Sequence, residues 1–117
     1  MGSGEAHWRR VEHLESLRDA GELVAVLEED VKECWHTKTA AIRSLVALNQ
    51  GGAAILKTLV RDKDPDVRQA AIEALAALRF AQAARVLSRI AADEADPLKA
   101  LAGAALAKIS GGRSSLE

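Results

Sequence analysis

The stretch "AAIRSLVAL", Ala40 to Leu48, returns thirty residues later as "AAIEALAAL", Ala70 to Leu78, and its pattern continues thirty-one residues further on as "ALAGAALAKI", Ala100 to Ile109. Self-similarity at a fixed period constrains a chain strongly, because every copy must form the same local unit and bury the same face against its neighbours. The apolar spacing says what that unit is. Ile42, Leu45 and Leu48, like Ile72, Leu75 and Leu78, are three apart and fall on one stripe of a helix. Val11, Leu14 and Leu17 repeat the spacing near the start of the chain. A second set lies between these: Leu23, Val24 and Leu27; Ile55, Leu56 and Leu59; Val86, Leu87 and Ile90. Each unit is therefore a pair of amphipathic helices, and the sequence predicts three pairs followed by an unpaired seventh helix.

Punctuation residues agree with this count. Gly21 and the pair Gly51-Gly52 can take the positive φ that ends a helix. Asp64-Pro65 and Asp96-Pro97 read as helix starts, the aspartate capping free amides and the proline occupying a first-turn position where its missing N–H costs nothing. Helices are expected near residues 5–19, 22–33, 36–49, 52–61, 65–78, 81–92 and 97–109. Apolar residues make up 49% of the chain but aromatics only 3%, with no tyrosine, so the core must be built from Ala, Leu, Val and Ile, which suits closely packed helices. At 117 residues the chain has the length of one ordinary domain. We place that domain at residues 5–110. Residues 1–4 and Leu116-Glu117 read as cloning remnants, and 111–117 as a disordered tail.

On these residues the chain resembles a known family. "DKDPDVRQAAIEALAAL" is similar to the HEAT repeat, in particular the short form of about thirty residues found in phycobilisome-lyase-type proteins, with an Asp in the turn, then Val-Arg, then alanines and leucines at helical spacing. Asp62, Val67, Arg68, Ala71, Ala74, Leu75 and Leu78 carry the match. It extends over about residues 5–110 and is sharpest in the third unit. The second unit has Thr37-Lys38 in place of Val-Arg, and Val31 to His36 holds about two extra residues. The resemblance implies an all-α, right-handed α-solenoid of about 3.5 helical hairpins. It implies a scaffold function, or, for the lyase branch, a bilin-lyase-like or other small-ligand-binding subunit.

The turn has a physical reason. Asp30, Asp62 and Asp93 each close a second helix and precede Lys38, Arg68 and Lys99, which open the next pair. Each carboxylate can accept amide hydrogen bonds and face a basic side chain of its own or a neighbouring unit, giving a charge ladder along the stack. Alanine in the first helices permits close approach to neighbours on two sides.

Chemistry-bearing constellations are scarce. Cys34-Trp35-His36 could hold a metal or a nucleophile and base, but Cys and His two apart on a helix diverge by about 200°. Packing at an irregular turn is the better reading. A single cysteine excludes an internal disulfide. His7 and His13 lie in the first helix, yet no His-Glu dipeptide exists, which disfavours the di-iron hydroxylase chemistry of one HEAT-type family. Gly51-Gly52 and Gly111-Gly112 lack the strand, Lys and hydroxyl pattern of a phosphate loop and read as punctuation. No cofactor or metal is expected, and the chain reads as a non-enzyme. No apolar run approaches the roughly 18 residues that cross a bilayer, so a cytoplasmic location is expected.

Function then has to come from surfaces. Residues 1–36 carry 4 Lys/Arg against 9 Asp/Glu, and residues 37–117 carry 12 against 8, so −5 is followed by +4 within a total of −1. That balance does not favour nucleic acid as a partner. Aligned by their apolar pattern, the second helices give rows Glu22, Ala54, Arg85; Ala25, Lys57, Ser88; Val26, Thr58, Arg89; and Glu29, Arg61, Ala92. Lys57, Arg61, Arg85 and Arg89 form a modest basic patch on the concave side, suited to an acidic peptide or helix of another protein. Trp8 is expected to cover the end of the first pair. The last helix offers Leu98, Leu101, Leu106 and Ile109 with no helix behind it, which predicts a homodimer through that end or a longer array.

Overall fold

The computed structural model describes residues 20–28 and 35–114. These form six α-helices and a short 3-10 turn. In chain order they are α1 (Ala20–Glu28), α2 (Trp35–Ala47), α3 (Gly52–Arg61), α4 (Pro65–Leu78), the 3-10 turn Ala81–Ala83, α5 (Ala84–Ala92) and α6 (Lys99–Ser114). The helix expected at 5–19, together with His7, Trp8, His13, Asp30 and Cys34, lies outside the described residues, as do the side chains of Trp35 and His36.

The helices alternate in two layers. α2, α4 and α6 form one, α4 packing on both α2 and α6; α1, α3 and α5 form the other. The closest backbone approaches between the layers join each second helix to the first helix of the next unit: α1 with α2, α3 with α4 and α5 with α6. Alanine makes this approach possible. Ala40, Ala41, Ala71, Ala74, Ala102 and Ala105 are all buried, and Ala71 and Ala102 have no exposed surface. Ile42, Leu45, Ile72, Leu75, Leu23, Ile55 and Leu87 complete one continuous apolar seam through the stack. This is the expected α-solenoid.

Helix ends show where local sequence prevails and where packing does. α4 starts as expected, with Pro65 in its first turn and the Asp64 carboxylate accepting the Asp66 amide at 2.9 Å. α2 and α4 end alike. The Gln50 amide reaches the Leu45 carbonyl at 3.0 Å and the Phe80 amide reaches Leu75 at 3.0 Å, each leaving one residue in the left-handed region: Asn49 (φ 58) and Arg79 (φ 51). Asn49, not the glycine pair, thus terminates α2. Gly51 (φ 81) precedes α3, and Gly52 serves a different purpose: a Cβ there would run into the Phe80 ring.

The other glycines depart from expectation. Gly21 sits inside the first turn of α1, and α6 continues through Gly111-Gly112 to Ser114, so residues 111–114 are helical rather than tail. Tertiary burial of Leu23 and Leu27 outweighs the cost of about 1 kcal/mol for glycine in a helix. At the other start, α6 begins at Lys99, two residues after Pro97, which lies in the turn that precedes it.

Candidate docking face on the second helices

Burial fixes the register of the second helices. Leu23, Ile55 and Leu87 are each fully buried, and Val26, Thr58 and Ile90 are buried beside them. Both sets step by thirty-two residues throughout, whereas the rows aligned from the sequence step by thirty-two and then by thirty-one. Thr58 therefore belongs to the core row that continues as Ile90; its hydroxyl donates to the Ala54 carbonyl at 3.0 Å, which satisfies it there. The expected row Val26, Thr58, Arg89 is corrected accordingly, and Ala54 is also buried. With the true step, Ala25, Lys57 and Arg89 share a row.

Lys57, Arg61, Arg85 and Arg89 are all exposed. Lys57 and Arg61 are one turn apart on α3, Arg85 and Arg89 one turn apart on α5, and neither helix contains an acidic residue. Between the two helices lies an open groove of about 430 Å³. Leu59, Val60, Val86 and Ile90 supply its apolar wall, and Arg89, Lys63, Asp62 and Arg68 its polar rim. The sequence reading found the cations but missed the apolar groove. The signal was Val60, which stands outside the buried stripe of α3 and is 63% exposed.

Two rim residues belong to the expected charge ladder. Asp62 Oδ2 lies 2.6 Å from Lys38 Nζ, while its Oδ1 accepts the Asp64 amide at 2.9 Å. Arg68 Nη2 lies 2.9 Å from Asp96 Oδ2, while Asp96 Oδ1 accepts the Leu98 amide at 2.9 Å. The second rung corrects the expectation: Arg68 takes Asp96, and the Asp93 carboxylate is occupied by the Ala95 amide at 3.0 Å. The Arg68 guanidinium, helped by the Leu98 amide, holds the Asp96 carboxyl below its ordinary pKa. Lys99 makes only a long, exposed contact of 3.6 Å with Glu94.

The first helices carry their own groove. Ile42, Val46, Ala47, Ala70, Ala74 and Ala77 line an open depression of about 370 Å³ between α2 and α4, with Arg43 and Glu73 on its edges. Leu98, just before α6, and Leu101, Leu106 and Ile109 within it are each half-buried against the core, and the exposed positions that α6 presents up to Ser110 are Ala100, Ala104, Ala107, Lys108 and Ser110. Among the described residues no group of three or more His, Cys, Asp or Glu is placed to hold a metal, and no helix is long and apolar enough to cross a membrane.

A family model described as HEAT repeats matches residues 20–107, well over half of the chain. Comparison with curated proteins gives no significant match, and neither does comparison with solved structures.

Proposed function

This chain belongs to the HEAT-repeat family, and we propose that it works as a non-enzymatic adaptor, holding a partner protein against its second helices through Lys57, Arg61, Arg85 and Arg89. HEAT repeats are commonly protein-interaction scaffolds. One observation carries the choice of face: α3 and α5 expose four cations and contain no acid, with Lys57 and Arg89 in register. A surface of one sign favours partners of the other and speeds their encounter. The test is affinity capture from a lysate with the wild type, an Arg85→Glu/Arg89→Glu variant, and Arg43→Glu as a control on the first-helix side. A protein retained by the wild type and the control but lost from the double variant supports the reading. Equal retention by all three removes it.

A second reading concerns α6. Leu98 and Leu106 are partly exposed, whereas Val67 and Leu75, which stand thirty-one residues earlier in α4, are at most 1% exposed. A homodimer joined through α6 would cover that difference. Sedimentation equilibrium checks it: a dimer weakened by Leu98→Ser agrees, and a monomer throughout the accessible concentration range does not.

A further inference from the structure

We infer that the segment bound in the α3–α5 groove is acidic and carries an aliphatic side chain that enters beside Val60 and Val86, with flanking carboxylates on Lys63 and Arg89. The inference rests on the adaptor reading and adds the chemistry of the bound segment. Val60 is the exposed large apolar side chain among the described residues, at 63%. The repeat does not require it, since the positions thirty-two residues before and after are Glu28 and Ala92. A valine thus stands where the neighbouring units have glutamate and alanine, at the edge of the groove that Val86 and Ile90 continue. A volume of about 430 Å³, open to solvent, accepts one or two aliphatic side chains of a bound segment.

The charge around it selects the rest of the segment. Of the groove's two ion-paired groups, Asp62 is held by Lys38 and Arg68 by Asp96, so they cancel within the stack. Arg89 and Lys63 on the rim, with Arg61 and Arg85 on the adjoining turns, leave the face positive. Acidic residues on either side of the anchor complement that field. Single-stranded nucleic acid would also bring negative charge, but no aromatic side chain lines the groove for a base to stack on.

Fluorescence anisotropy with labelled synthetic probes tests this. The probes are an acidic peptide with a central leucine pair, the same peptide with serines for leucines, and a single-stranded oligonucleotide. The leucine peptide is expected to bind about tenfold more tightly than the serine peptide. Val60→Ser should weaken it about fivefold, in line with the loss of one partly buried valine contact, and leave the serine peptide unchanged. Arg89→Glu should weaken both. Val60 is exposed, so its variant is expected to melt with the wild type, and a melting curve verifies that. Equal affinity for the two peptides, or no effect of Val60→Ser, overturns the anchor while leaving the basic-face adaptor to the capture experiment. Tightest binding to the oligonucleotide, or binding of no acidic peptide, also overturns it.

Discussion

Arg68 reaches across to the next linker and meets Asp96 at 2.9 Å, while the other oxygen of that carboxylate accepts the amide of Leu98 at 2.9 Å. Lys38 and Asp62 reproduce the arrangement one unit earlier, with the Asp64 amide in the place of Leu98. Each carboxylate thus does two things at once, shaping the turn that leads into the next helix and tying that turn to the preceding first helix. The side chains involved are between 12% and 21% exposed, which lifts these pairs above the ordinary surface ion pair.

A double-mutant cycle on Arg68→Ala and Asp96→Ala should return a coupling of about 1 kcal/mol by chemical denaturation. Asp96→Ala alone should cost more, about 1–3 kcal/mol, because it also strips the Leu98 amide of its acceptor. A coupling near zero would reduce the rung to a surface contact.

Stability should depend on acid in a defined direction. The Asp96 carboxyl is depressed in the folded chain, chiefly by its hydrogen bond from Arg68. The unfolded chain therefore binds the proton more readily, and the stability this group contributes is fully present above its unfolded pKa of about 3.9. It is lost as pH falls below that value through the folded pKa. Denaturation curves at pH 6 and below about pH 4 should show the wild type losing more stability than Asp96→Asn; parallel losses would contradict the assignment.

Gly52→Ala should destabilise the chain by about 1–3 kcal/mol, since the added methyl meets the Phe80 ring. Combining it with Phe80→Leu should recover part of that loss in thermal melts. Additive losses would show that the conflict lies elsewhere.

Arg79→Gly should raise stability by roughly 0.5–1 kcal/mol, because Arg79 holds φ 51 at the end of α4, a region glycine occupies without side-chain strain. A lower melting temperature for this variant would mean that the arginine side chain contributes more than its backbone costs.

Much of the architecture was legible in apolar spacing, because helices that stack must repeat their buried face. Ile42 and Leu45, Ile72 and Leu75, and Leu23 and Ile55 are buried where the three-residue spacing placed them. Aspartate before proline was equally readable at α4, since capping is a local event. Glycine was not. Gly51 took a positive φ, but the left-handed residue that ends α2 is Asn49, Arg79 plays that part at α4 where no glycine stands, and Gly21 and Gly111-Gly112 stayed helical. Glycine permits a turn, but packing decides whether one occurs. The second step of thirty-two, from α3 to α5, was hidden because leucine and valine neighbours such as Val86 and Leu87 are interchangeable by composition, and only burial separates them. For the same reason the groove between α3 and α5 was missed, although its cations were found. The ladder's partner was missed because two aspartates, Asp93 and Asp96, compete in one linker, and their division between turn and ion pair depends on geometry.

The central claim, that the second helices form the docking face, is tested most directly by following backbone amide NMR shifts while the acidic leucine peptide is added. The account predicts that the largest shifts fall on residues 57–63 and 85–90, around Val60 and Arg89. Shifts concentrated instead on Ile42 to Ala47 and Ala70 to Ala77, in the groove between α2 and α4, would contradict it.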